Sequence, residues 1–201
     1  MCKTQDTSSE AVTGTSGRRL GRLLRSRDGA AAIEFALLAI PYFLIVFAII
    51  ETFIAFMGEQ LVANAVDTLA RKLRTGEITV GTGNAATDMN QPQFRTAFCD
   101  EISILIKCAD QDDGKLILDV RSFSTFTDIP DYIPRDEGDL NAVSTFAPGG
   151  PTSKNMLRAY YRWSVVTDLV RPYISAIRPA DGSLPNEFLI VATTTFQNED
   201  Y

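Results

Sequence analysis

The chain has 201 residues, with 45% hydrophobic and 22% charged side chains, the composition of a folded protein rather than a disordered one. It has no histidine, which excludes imidazole metal sites, Ser-His-Asp triads and Cys-His dyads. The net charge of −6 is uneven: residues 1–29 carry six basic and three acidic side chains, the remainder thirteen and twenty-two, so the acidic body would repel nucleic-acid phosphate.

Residues 1–29 form a basic leader with Arg18, Arg19, Arg22, Arg25 and Arg27. An apolar run follows, and from Ala30 to Met57 its only charges are Glu34 and Glu51. As a helix this run would extend about 42 Å, more than the ~20 apolar residues a bilayer core requires. Pro41 removes one backbone bond, which transmembrane helices tolerate. The upstream arginines predict residues 1–29 on the cytoplasmic side and the acidic remainder outside. One rival is a cleaved secretory signal peptide, for which Ala63-Asn64-Ala65 offers an A-x-A site. The run is far longer than an h-region of ~7–15 residues. A buried core helix of a soluble protein is the second rival, and the length argues against it.

A carboxylate near the membrane edge is costly and points to a partner. Its bland reading is a terminal charge that snorkels to the interface. Cleavage after Gly29 would free an amino group at Ala30 and make Glu34 the fifth residue. Basic leader, glycine, cleavage and glutamate at the fifth position of an apolar helix resemble the processing site of type IV prepilins. More closely, GAAAIEFALLAIPYFLIVFAIIE, with Gly29, Glu34, Phe35, Pro41 and Glu51 in place, resembles the TadE-like proteins of the tight-adherence (Flp) pilus system. The ending FQNEDY is similar to the aromatic-x-Asn-Glu ending of that family, with Asp200-Tyr201 where a proline-aromatic pair is more usual.

The resemblance implies a pilin-like pseudopilin of the bacterial inner membrane, cut between Gly29 and Ala30 by a prepilin peptidase. Its partners would be other pilin and pseudopilin subunits. Glu34 and Phe35 would serve assembly, Glu34 by pairing with the free amino terminus of a neighbour. The implied protein is a structural subunit without cofactor or metal, not an enzyme. The alternative is an uncleaved, single-span anchor carrying a periplasmic binding or enzymatic domain.

After Met57, Leu61, Ala65, Leu69 and Leu73 recur every four residues, flanked by Val62 and Val66, so residues 58–75 continue the helix in amphipathic form. Arg71, Lys72, Arg74 and then Gly76 read as its stop. Residues 76–90 form a Gly/Thr/Asn-rich loop whose Gly81-Thr82-Gly83-Asn84-Ala85-Ala86 imitates a phosphate loop without the βαβ context. Asn90 and Pro92 start a second helix with Phe94, Phe98, Ile102, Leu105 and Ile106 on its apolar face.

Cys99 and Cys108 predict a disulfide in an oxidising periplasm. A continuous helix would hold their Cα atoms about 13.5 Å apart, beyond the ~7 Å limit. Either the helix ends near Leu105 and turns back, or the cysteines are unpaired; the bond is the favoured reading. Asp110, Asp112, Asp113 and Asp119 form an acid cluster that lacks EF-hand spacing and reads as a solvated turn.

Lys115–Arg121, Leu157–Val165 and Phe188–Phe196 alternate as strands. A Pro/Asp/Gly-rich stretch, Asp128–Ser153, separates the first two, as a functional or merely mobile surface loop. Thr167–Ile177 reads as a short helix or an irregular connection. The expected fold class is α+β: a long N-terminal helix packed on a small antiparallel sheet, with residues 76–201 as a periplasmic domain.

Overall fold

The computed structural model describes residues 27–108, 114–136, 138–165, 175, 177 and 187–201, with side chains from residue 31 onward. A single helix, α1 (Arg27–Arg74, 48 residues), runs through Pro41 without ending and closes on Arg71, Lys72 and Arg74. Those cations face the negative end of the helix dipole, where they are favourable. The chain divides into two compact units, one ending at Val46 and the other comprising Phe47–Tyr201. In the first, α1 exposes Ile33, Phe35, Leu37, Leu38, Ile40 and Tyr42.

The second unit is built on the later part of α1. Val62, Ala65, Val66, Leu69 and Leu73 are buried as one stripe, the surface predicted from their spacing. Helix α2 (Gln91–Ile102) packs Phe94, Phe98 and Ile102 into the same core. Its start is fixed by Asn90, whose Oδ1 accepts from Gln93 N at 3.0 Å while Gln93 Oε1 accepts from Asn90 N at 2.9 Å. That reciprocal capping box satisfies two otherwise orphaned donors.

The sheet contains β1 (Leu116–Phe123), β4 (Thr145–Ala147), β5 (Lys154–Ser164) and β6 (Glu187–Gln197) in the order β4-β1-β5-β6. The three long strands are antiparallel, as expected, with Leu118 opposite Ala159 and Ala159 opposite Ala192. β4 adds a parallel partner to β1, Asp119 facing Thr145. One sheet face joins the helical core through Leu116, Leu118, Val120, Leu157, Ala159 and Ile190.

The other sheet face carries a smaller cluster of Leu140, Tyr160, Ile177 and Leu189. Leu140 lies in β3 (Asp139–Leu140), which pairs with β2 (Arg135–Asp136) inside the stretch 128–153. That stretch is a structured cover, held because its apolar residues find a second sheet face to bury against. Of the proposed element at 167–177, only Ser175 and Ile177 lie within the described residues, where Ile177 bridges Glu187.

Contacts at two ends align the long strands with α1. Near Gly58, β5 places Trp163 so closely that a Cβ on the glycine would sit 2.9 Å from Cζ3. Near Arg74, Glu199 N donates to Arg74 O at 2.9 Å, and the two side chains pair at 3.3 Å. Asn198 lies between these strands and the β4–β5 turn. Its Nδ2 donates to Gly149 O and Gly150 O at 2.9 and 3.0 Å, and its Oδ1 accepts from Asn155 Nδ2 at 2.9 Å. Tyr201 covers Gly76, where φ is +76° and a Cβ would lie 2.6 Å from the ring. Both the left-handed backbone and the close ring require glycine there. Replacing Asn198 by alanine removes its bonds to the Gly149 and Gly150 carbonyls and to the buried Asn155 amide, and should lower stability by about 1–3 kcal/mol, read as an earlier thermal transition of the detergent-solubilised chain.

Candidate processing and assembly segment

The candidate site begins with the backbone of α1. Gly29 and Ala30 fall within its first turn, and Glu34 and Phe35 one turn later. From Gly29 to Glu34 the helix rises about 7.5 Å, and Ala30 and Glu34, four apart, occupy one face. Glu34 is exposed on a helix whose neighbouring side chains, including Phe35 at 72%, are exposed and apolar. A helix apolar around its circumference and uncovered by its own protein belongs in lipid or against other helices. The most apolar window of Ala31–Arg74 has mean hydropathy 2.5 and none of it is buried, so this helix is long and apolar enough to cross a membrane. Tyr42 and Phe43 meet edge to face, their centroids 5.4 Å apart.

In the other unit, Cys99 and Cys108 are joined, with Cα atoms 5.6 Å apart. Helix α2 ends at Ile102, three residues before the expected limit, and Ser103 N–H donates to Asp100 O as the chain turns back. Ile106 returns to the core beside Ile102. Early termination thus resolves the distance conflict of a continuous helix.

The Gly-rich loop does gather anion-binding donors, but the anion is internal. Asp88 Oδ1 accepts from the Thr79 and Thr82 hydroxyls at 2.7 and 2.8 Å, and Oδ2 accepts from Gly83 N at 2.8 Å. Gly81 and Gly83 have φ of +69° and +82°, turning the backbone around the carboxylate. The Thr79 bond above all, opposed by desolvation and aided by Thr82 and Gly83, lowers the Asp88 pKa from 3.8 to about 2.

The acid cluster requires correction. Asp110, Asp112 and Asp113 lie outside the described residues, whereas Asp119, in β1 as the strand reading expected, is only 6% exposed rather than solvated. It pairs with Arg121 at 2.6 Å beside a cleft of about 260 Å³ that Tyr132, Arg158 and Tyr160 also line. Arg158 spends its donors on Pro130 O, Tyr132 O and Thr193 Oγ1. These bonds tie the 128–153 cover to the sheet, a role that the spacing of the acids gave no means of finding. Among the described residues, no group of three or more His, Cys, Asp or Glu side chains is placed to hold a metal ion.

Residues 29–71 match the family described as TadE-like protein. No curated protein matches the chain, and no solved structure does. The family match spans Gly29, the apolar run and the amphipathic continuation, and it supports a protein associated with Tad pili.

Two measurements test this geometry. Cys99→Ser should destabilise the Phe47–Tyr201 unit by about 2–3 kcal/mol, the loop-closure contribution of so short a loop, seen as a lower denaturant midpoint that matches reduced wild type. Because the folded pKa of Asp88 lies below the unfolded one, its contribution is full above about pH 4 and is lost as pH falls toward 2. Amide exchange at residues 79–88 should accelerate across that window, and Asp88→Asn should abolish the acid step.

Proposed function

We propose that this chain is a minor pilin or pseudopilin, processed between Gly29 and Ala30 by a prepilin peptidase and required for assembling Tad/Flp adhesion pili. One observation carries the reading: α1 presents Glu34, an exposed carboxylate, amid exposed apolar side chains. Such a charge is expensive in hydrocarbon, and an ammonium partner makes it less so. Cleavage at Gly29 supplies that ammonium at Ala30 of a neighbouring subunit, and Phe35 packs beside the pair when helices stack. The match over residues 29–71 supports the same assignment.

In this reading residues 1–29 stay cytoplasmic, 30–57 span the inner membrane, 58–75 continue the helix, and 76–201 form the periplasmic domain. The Cys99–Cys108 bond supports an oxidising compartment for that domain. The protein is a peptidase substrate and a structural subunit that contacts other pilins, and it performs no chemistry of its own. An uncleaved anchor with a periplasmic binding domain is the second reading, and the cleft beside Asp119 and Arg158 is what favours it.

Amino-terminal sequencing of membrane-extracted protein separates the two. The pseudopilin reading expects a start at Ala30 that depends on the peptidase, and an intact Met1 with or without peptidase overturns it. Glu34→Gln should be cleaved normally yet assemble poorly. An unpaired buried charge costs about 3–5 kcal/mol, so surface pili should fall by more than about tenfold, counted by electron microscopy.

A further inference from the structure

We propose that the Trp163 end of the sheet rests in the headgroup layer of the bilayer, with Trp163 as its anchor. The proposal depends on α1 being a membrane span, and it concerns only Phe47–Tyr201. Along that part of α1 one face is exposed and the other is covered by the domain. Phe53 is 66% and Met57 52% exposed, whereas Ala55 is 8% exposed and Gly58 is buried. Glu59 and Gln60 then end the apolar run, Glu51-Thr52 being the earlier adjacent polar pair within it. The hydrocarbon boundary therefore falls beside Gly58.

At that level the sheet presents its aromatic end. The Trp163 indole lies against Gly58, within 2.9 and 3.2 Å of where a Cβ would stand, so a larger residue would displace the ring. Tyr161 meets it edge to face at 6.3 Å, and Phe188 is its cross-strand partner. Lys115 Nζ reaches Ser164 Oγ at 3.3 Å, which puts an ammonium at the same end of the sheet. Trp and Tyr, apolar in body with a polar edge, partition to the membrane–water interface, and a nearby lysine meets lipid phosphate.

The opposite end of the sheet has contrary chemistry. Asn155, Asn198 and Glu199 cluster at Arg74, about 24 Å further along the helix. A sheet that is aromatic where its helix leaves the lipid and amide-rich at its far end suits one bilayer placement. Lipid is the occupant because the patch is continuous with the exposed apolar surface of α1 that includes Phe53 and Met57. A second protein subunit on the same patch would leave the indole dry but out of reach of lipid.

The chain contains one tryptophan, so its fluorescence reports this site directly. The full chain is reconstituted in phosphatidylcholine vesicles containing lipid brominated either near the headgroup or deep in the acyl chain. A second variant, Trp163→Phe with Phe53→Trp, reports on the span itself. The proposal expects shallow bromine to quench Trp163 by about twofold, with weaker quenching by deep bromine and by aqueous acrylamide. If Phe53→Trp is quenched by bromolipid while Trp163 is not, or if deep bromine quenches Trp163 more, the headgroup placement is overturned and the span stands. If bromolipid quenches neither, the membrane reading of α1 fails and the proposal falls with it.

Discussion

The ordered domain depends on one stripe of α1. Val62, Val66, Leu69 and Leu73 cannot be solvated cheaply, and each fully buried side chain of this kind contributes about 1.5–3 kcal/mol. Helix α2 and one face of the sheet close over that stripe, Phe98 and Ile102 from one side and Leu118, Leu157 and Ile190 from the other. The 128–153 cover is a further layer, useful only because the sheet has a second face to bury. Loss of the stripe would leave that sheet face with only α2 to pack on.

Toward its amino-terminal end the same helix changes solvent rather than conformation. Backbone bonding continues through Pro41, while the side chains pass from a protein-facing stripe to apolar groups exposed on every side. Lipid satisfies those groups, but not Glu34. A carboxylate among them is costly in hydrocarbon unless a positive charge pairs with it.

Three closures shape the domain surface, each internal. Asp88 fills the turn that could have cradled a foreign anion. The Cys99–Cys108 bond folds the chain back after α2. Asn198 and Glu199 tie the last strand to the β4–β5 turn and to the end of α1. The cleft at Asp119 differs: Asp119 pairs with Arg121, yet Asp119 Oδ1 and Arg121 Nε are buried without a hydrogen-bond partner.

Sequence alone determined what depends on local period and on solvent class. The long helix, its apolar and amphipathic parts, α2 with its Asn90 cap and the three long strands follow from spacings of 3.6 and 2, which neighbouring residues set among themselves. The segment Gly29–Glu51 was legible because charge in an apolar run has few explanations, and residues 29–71 match the family its motif suggested. Only the tertiary structure decided the parallel strand β4, three residues too short to show alternation. It buried Asp119, a member of the cluster expected to face solvent, because burial depends on Arg121 and on the sheet around it. It also brought Trp163 onto Gly58 and Asn198 onto Gly149. Those contacts join residues far apart in the chain, and their geometry is set by how the sheet lies along the helix, which no local pattern encodes.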